Sequence, residues 1–359
     1  MFIRCKTALI LPFLVLSALP LTANSIFDLL QKAAGTEPLE ATLTYPVDSL
    51  HKRTLTPRKA SLTFIDAAGA AQEWKLKVRV RGKSRLKSCD FPPLKFDFAK
   101  DDLRAAGLSE FDKYKVVVPC SAGPAAEAAV LREYLAYRAY QLLTPLSYRV
   151  QLLQLTRRDE NGHRPDLKSL AFLIENTTEM AARNGVKELA ESFQVPLTDY
   201  DPAQEATHAM FQYFIANTDW SNKLIRNVKK VRLQNGLIAP VGYDFDYSGW
   251  VSASYAAPRR HIGQAYVGDR VYLGYPQADS VLQKVIAEFT SAQADLFALA
   301  QHPLLKAKGR RVLRTSLRQF YQRLQEVTEG VDATLYGALR GEDAHLIPTG
   351  YSPEAFFYR

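Results

Sequence analysis

The chain has 359 residues, 47% hydrophobic and 11% aromatic, with 46 Lys and Arg against 37 Asp and Glu and a formal net charge of +9. Such a composition describes a globular chain with a sizeable core and excludes a disordered, charge-dominated one. The positive balance favours anionic partners such as phosphates or acidic envelope polymers, but the basic residues are scattered, with no arginine-rich tail or recognition-helix signature, so nucleic acid is not expected as a partner.

Residues 1–23 read as a secretory signal peptide. Arg4 and Lys6 precede an apolar run from Thr7 to Leu21, broken only by Pro12 and Pro20, and small residues allow cleavage after Ala23. An uncleaved anchor is the competing reading. No later stretch approaches the ~20 apolar residues of a membrane span, so no transmembrane segment is expected in the mature protein. Export to the periplasm or the extracellular space gives the cysteines an oxidising setting. Cys5 leaves with the signal, which predicts a disulfide between Cys89 and Cys120.

The first half reads mainly as strands. "SLTFIDAAGAAQEWKLKVRVRG" is a hairpin whose second strand alternates strictly: Trp74, Leu76, Val78 and Val80 on one face, Lys75, Lys77, Arg79 and Arg81 on the other. "PPLKFDF" alternates again, and "YKVVVPC" reads as a buried strand. A helix over 125–143 stops before Thr144-Pro145, because a residue preceding proline avoids helical geometry. Two further strands, "SYRVQLLQLTRRD" and "LKSLAFLIEN", follow. From Thr177 onward helices dominate. Asp201, Pro202 and Gln204 mark a capped helix start. The polar loop "NTDWSNKLIRN" leads into a hairpin, "VKKVRL" and "LIAPVGYDF", turned at Gln234-Asn235-Gly236. The expected class is α+β: a strand-rich lobe with one helix over 24–176, then a helical lobe containing a β-hairpin over 177–359. Kinases share this order of parts.

The hairpin has a chemical consequence. Asp219 and Asn227 precede its first strand, and Asp244, in "YDFDYSGW", ends its second, so folding the hairpin brings them to one side. One acid able to take a hydroxyl proton, beside an amide oxygen and a carboxylate able to hold Mg²⁺ or Mn²⁺, is the equipment of phosphoryl transfer. Asn222 competes with Asn227 for the amide role, and Asp246 is the second choice behind Asp244.

"NTDWSNKLIRN" followed by "YDFDYSG" resembles the CotH-type family of spore-coat kinases, an atypical kinase-like fold, and looks closest to uncharacterised exported bacterial relatives of it. "VRVRGKSRLKSCDFPPLKFDF" and "LREYLAYRAYQLL" carry the likeness further, thinly, over residues 75–275. The resemblance implies ATP with Mg²⁺ or Mn²⁺, a kinase-like two-lobed fold, and a protein or envelope-polymer hydroxyl as acceptor. It implies Asp219 as catalytic acid and Asn227 and Asp244 as metal ligands. Lys95 would hold nucleotide phosphate, with Glu133 as its helix partner. Arg81 and Lys83 would be further phosphate contacts, and Glu175 would lie at the hinge. The chain departs from protein kinases: it has no GxGxxG loop and no HRD, and eight positions rather than five separate Asp219 from Asn227.

Other chemistries lack their residues. The six histidines are scattered without an HExxH pair, and no GxSxG or P-loop occurs. The expected activity is therefore an exported, Mg²⁺-dependent phosphotransferase. The alternatives are a non-catalytic, pseudokinase-like envelope binding protein, and a nucleotidyltransferase (AMPylation) on the same scaffold.

Overall fold

A computed structural model describes residues 24–36, 38–50, 55–82, 85–190, 192–330 and 334–341. The expected signal peptide and Lys83 lie outside these residues. The chain begins with α1 (Ile26–Ala34), closed at its start by a capping box in which Ser25 Oγ accepts from Asp28 N and the Asp28 carboxylate accepts from Ser25 N. Then come β1 (Leu39–Tyr45), β2 (Arg58–Ile65), β3 (Ala71–Val80), α2 (Arg85–Ser88), β4 (Leu94–Phe98), α3 (Lys100–Ala105) and β5 (Lys113–Val117). The 20-residue helix α4 (Pro124–Leu143) leads to β6 (Val150–Asp159) and β7 (Leu167–Ile174).

These seven strands close into a barrel in the order β1-β2-β3-β4-β5-β7-β6. Closure comes from parallel pairing of β1 with β6, Leu39 opposite Leu153 through Tyr45 opposite Asp159; the other neighbours are antiparallel. The alternation expected on β3 holds: Trp74, Leu76, Val78 and Val80 point into the barrel core with Leu43, Phe96, Tyr114 and Leu155. Ile26, Phe27 and Leu30 of α1 join that cluster.

The other face of β5, β6 and β7 offers Val117, Leu152, Phe172 and Ile174 to a second and larger core. Helix α4 lies in it, packed against β7 and β6 on one side and α8 (Gln293–Leu299) on another. Its buried residues therefore run round the helix rather than along one stripe, Leu131, Tyr134, Leu135, Tyr137 and Tyr140 among them.

The rest of the chain is α5 (Thr177–Arg183), β8 (Lys187–Glu188), α6 (Pro202–Phe214), β9 (Val228–Arg232), β10 (Ile238–Gly242), α7 (Asp279–Ser291), α8, α9 (Ala307–Glu329) and α10 (Leu335–Arg340). Asp201 caps α6 as expected, accepting from Ala203 N and Gln204 N. The expected hairpin is present but belongs to a three-stranded antiparallel sheet, β10-β9-β8. Among the described residues the first half also holds three α-helices besides α4, where one was expected. No helix among the described residues is long and apolar enough to cross a membrane. The Cys89–Cys120 disulfide is formed, with its Cα atoms 4.7 Å apart; it joins the end of α2 to the approach to α4.

Candidate functional site

The open end of the β9–β10 hairpin gathers the expected acids. Gly242 pairs with Val228, and Tyr243 N donates to Asn227 O at 3.0 Å, so Asn227 and Asp244 leave the sheet side by side. Asn227 Nδ2 donates to Asp219 O at 2.7 Å and to Asp219 Oδ2 at 3.0 Å. Asp219 N in turn donates to Asn217 Oδ1 at 3.0 Å, and Asn217 is held by Gln212 of α6. Among the described residues, five of the six non-glycine residues with positive φ fall in this region: Ala216, Ile225, Asn227, Asp244 and Ser252. Each such conformation costs on the order of 1–3 kcal/mol and persists only where its surroundings enforce it.

Those surroundings explain why two carboxylates flank an aromatic in "YDFDYSGW". Phe245 is the anchor. It is fully buried, with ring centroids 4.6 Å from Tyr137, 5.3 Å from Phe211 and 6.1 Å from Tyr140, and each aromatic pair adds roughly 0.5–1.5 kcal/mol beyond its buried area. Asp244 N, at φ 63°, donates to Tyr137 Oη at 2.8 Å. Helix α4 thus fixes the turn that presents both acids. Gly249 N donates to Ala216 O at 3.0 Å, and a Cβ on Gly249 would meet Gly268 Cα at 2.8 Å and Ala216 Cβ at 2.9 Å. Only glycine lets this turn close on the Asp219 loop.

Arg85, at the start of α2, holds the acids from the barrel side. Its Nη2 lies 2.5 Å from Asp246 Oδ2, 3.1 Å from Asp244 Oδ1 and 3.9 Å from Glu133 Oε2. Burial works against its charge, but Asp246, Asp244 and Glu133 outweigh it and raise the guanidinium pKa. Burial and then the Asp244 charge push Asp246 up to about 7, against Arg85. Burial also raises Glu133 well above the carboxylate range despite Arg85, and its Oε1 is buried without a hydrogen-bond partner. For Asp244, burial is outweighed by Arg85, Arg81 and Lys115, which hold its carboxyl below the ordinary value. Of the three acids, Asp244 is the one whose carboxyl is held below its ordinary value.

The cation beside Glu133 is therefore Arg85 and not Lys95. Lys95 lies on the outer face of β4, paired across strands with Arg79 and Lys115. Burial, then Arg79 and Lys113, lower its pKa. The lysine that acts on Asp244 is Lys115 of β5. Its Nζ sits 3.7 Å from the centroid of the Tyr243 ring, and burial, then Arg81, push it down to about 7 against the pull of Asp244. Arg81 is near enough to influence Asp244, Glu133 and Lys115.

Two other expected positions, Glu175 and Asn222, are held within the fold. Glu175 is not a free hinge residue: Arg149 Nε and Arg183 Nε donate to its Oε1 at 2.6 and 3.1 Å, and Arg149 N and Arg183 Nη2 to its Oε2 at 2.9 and 3.0 Å. With both oxygens committed to two arginines, it ties β7 to α5. Asn222 turns to Glu205, 3.5 Å away, leaving the amide position beside Asp219 to Asn227. Arg270 donates to Phe214 O and to Ser316. Arg259 reaches Asp219 Oδ1 directly, with Arg226 3.6 Å from the same oxygen.

Arg85 and Lys115 are the residues that sequence reasoning missed. Arg85 sits in the quoted "RGKSR", but nothing local distinguishes it from its basic neighbours. Lys115 breaks an otherwise apolar strand, a signal that could have been used. A cavity of about 620 Å³ includes Arg85 and Glu133 in its wall, with Ala129, Leu131, Val251 and Tyr255, but none of Asp219, Asn227, Asp244 or Lys115.

No protein-family model matches this chain, and no curated protein matches it. No group of three or more His, Cys, Asp or Glu among the described residues could hold a metal ion by itself. Two carboxylates and an amide oxygen are nonetheless a donor set for Mg²⁺, which takes few hard oxygen ligands from protein and completes its shell with water and substrate phosphate. Such an ion would compete with Arg85 for Asp244 and with Arg259 and Arg226 for Asp219.

Proposed function

We propose that this protein is an exported, Mg²⁺-dependent phosphotransferase of CotH-like, two-lobed kinase-like fold, acting on a protein or envelope-polymer hydroxyl. One observation carries the reading: Asp219, Asn227 and Asp244 come together at the open end of one hairpin, with Lys115 over the ring of the adjoining Tyr243. In this reading Asp219 takes the acceptor's proton, Arg81 and Lys115 receive the donor's phosphates, and Asn227 and Asp244 hold the metal. Bound Mg²⁺ would neutralise charge on the transferring phosphate. The barrel with α4 plays the part of the first lobe and the helical half that of the second. Arg85, 3.9 Å from Glu133 of α4, supports this, since a basic residue facing an acid of the first lobe's helix is a kinase feature.

The test is label transfer from γ-³²P-ATP with Mg²⁺ or Mn²⁺, to the protein itself and to envelope extracts. Asp219→Ala and Asp244→Ala should each abolish it. Transfer from the α- but not the γ-phosphate would assign nucleotidyl transfer instead. A non-catalytic binding protein is the second reading, and a specific observation favours it: Asp219, Asp244 and Asp246 already face arginines of the same chain. Nucleotide binding without turnover, under all metal conditions, would decide for it.

A further inference from the structure

The outward positions of three neighbouring strands form a basic field that leads to Asp244. Lys75, Lys77, Arg79 and, just past the strand, Arg81 come from β3, Lys95 from β4, and Lys113 and Lys115 from β5; of the carboxylates there, Asp97 lies opposite Lys77 and Lys113, Asp112 pairs with Lys113 at 3.2 Å, and Glu73 stands at the far end of β3. The register sets like charges directly opposite one another. Arg79 faces Lys95, and Lys95 faces Lys115, a row that spans roughly 10 Å at about 4.8 Å per strand. Directly opposed like charges destabilise a sheet. Arg79, Arg81, Lys95 and Lys115 make no ion pair among the described residues, and all four are half-buried rather than free in solvent. Lys75 and Lys77 continue the field into solvent at about 7 Å intervals along β3.

With Lys75 and Lys77, the field extends along β3 beyond the Arg79–Lys95–Lys115 row, farther than a single phosphate reaches. Resting on the reading above, we propose that the Arg79–Lys95–Lys115 row seats a linear oligophosphate, and that inorganic polyphosphate is the donor class. The terminal phosphate would lie at Lys115 and Arg81, beside Asp244, and the chain would run outward over Lys95, Arg79 and Lys77. The acceptor oxygen bonds to the terminal phosphorus, and the phosphoanhydride bond to the next phosphate breaks. The shortened chain leaves with that electron pair, and the hydroxyl proton passes to Asp219. Atoms and charge balance without another reactant, and the donor is one that does not depend on cytoplasmic ATP.

Calorimetry on the exported chain with Mg²⁺ tests this, using orthophosphate, tripolyphosphate, long-chain polyphosphate, ATP and a single-stranded DNA of matching charge. Long-chain polyphosphate should bind roughly tenfold or more tighter than tripolyphosphate or ATP, and the Arg79→Gln/Lys95→Gln double variant should lose about that factor. Without ligand, the double variant should melt at or above the parent's temperature, because repulsion is relieved. A lower melting temperature, ATP binding as tightly as the long chain, or DNA binding equally well would each overturn the proposal. The two readings fail separately. Asp219-dependent transfer from ATP that the double variant leaves unchanged removes the oligophosphate row alone. Row-dependent polyphosphate binding without transfer from any donor removes the phosphotransferase alone.

Discussion

Arg85 Nη2 lies 3.1 Å from Asp244 Oδ1, so the strained carboxylate at the hairpin's end is neutralised from within the chain. The same guanidinium serves Asp246 and Glu133, all within a buried pocket. Removing one partner of a buried ionic group leaves the others uncompensated, typically at a cost of about 3–5 kcal/mol. Arg85→Gln should lose stability on that order in urea unfolding. Mg²⁺ should raise the melting temperature of the variant more than that of the parent, since the guanidinium no longer competes for Asp244. Equal Mg²⁺ shifts in the two proteins would show that Asp244 does not bind the ion.

The disulfide acts on the same pocket. Cys89 follows α2 and Cys120 precedes α4, and Phe91 N donates to Cys120 O at 3.0 Å, so the bridge holds Arg85 near Glu133. Its ends are 31 residues apart, and closing a loop of that size is worth roughly 3.5 kcal/mol in the chain-entropy account. Reduction, or a Cys89→Ser/Cys120→Ser double change, should lower stability by about that much. Hydrogen exchange should quicken first around residues 85–91. Uniform quickening across the barrel would show that the bridge stabilises the whole fold and not this junction.

How much of this was legible depended on the range of the signal. Strand alternation on β3 and β4, the capped start of α6 and the hairpin ends at Asn227 and Asp244 are local patterns, and each appears where it was read. Barrel closure was not readable, because the pairing of Leu39 with Leu153 joins positions more than a hundred residues apart and leaves no mark in either strand. The "LEATLTY" alternation of β1 and the Ser25–Asp28 capping box were readable and unused. Lys95 alternates on a strand that precedes α4, and a local pattern says no more of it than that. Which basic residue meets Glu133 depends on where the Cys89–Cys120 bridge sets α2, and that is a tertiary fact.

Glu205 gives a pH test free of the ionic cluster. It is fully buried on α6, where its oxygens accept from Tyr275 N at 3.2 Å and Gln277 Nε2 at 2.9 Å. Burial nevertheless pushes it up to about 7 from 4.5. In that interval the folded chain holds a proton that the unfolded chain has released, so stability falls as pH rises from about 4.5 to 7, by on the order of 3 kcal/mol. Asp246, also pushed up to about 7, has the same sign. Glu205→Gln should flatten its share of the decline in chemical-denaturation curves taken across that range. An unchanged profile would mean that Glu205 stays ionised in the fold.

Lys115 has the opposite sign, and it ties electrostatics to ligand binding. Its amine is pushed down to about 7 by burial and by Arg81, Lys229 and Lys95, against Asp244, with the Tyr243 ring beneath it. Above pH 7 the unfolded chain binds the proton that the folded one lacks, so the free protein gains stability as pH rises from about 7 toward 10.5. An anion at this position needs the charged amine and takes up a proton as it binds. Tripolyphosphate affinity should therefore fall above pH 7, with a slope approaching about one logarithmic unit per pH unit. Lys115→Arg keeps a cation that does not titrate in this range, so it should retain binding and lose the part of the slope that belongs to the protein. If parent and variant share one pH profile, Lys115 does not touch the anion, and the basic field ends short of Asp244.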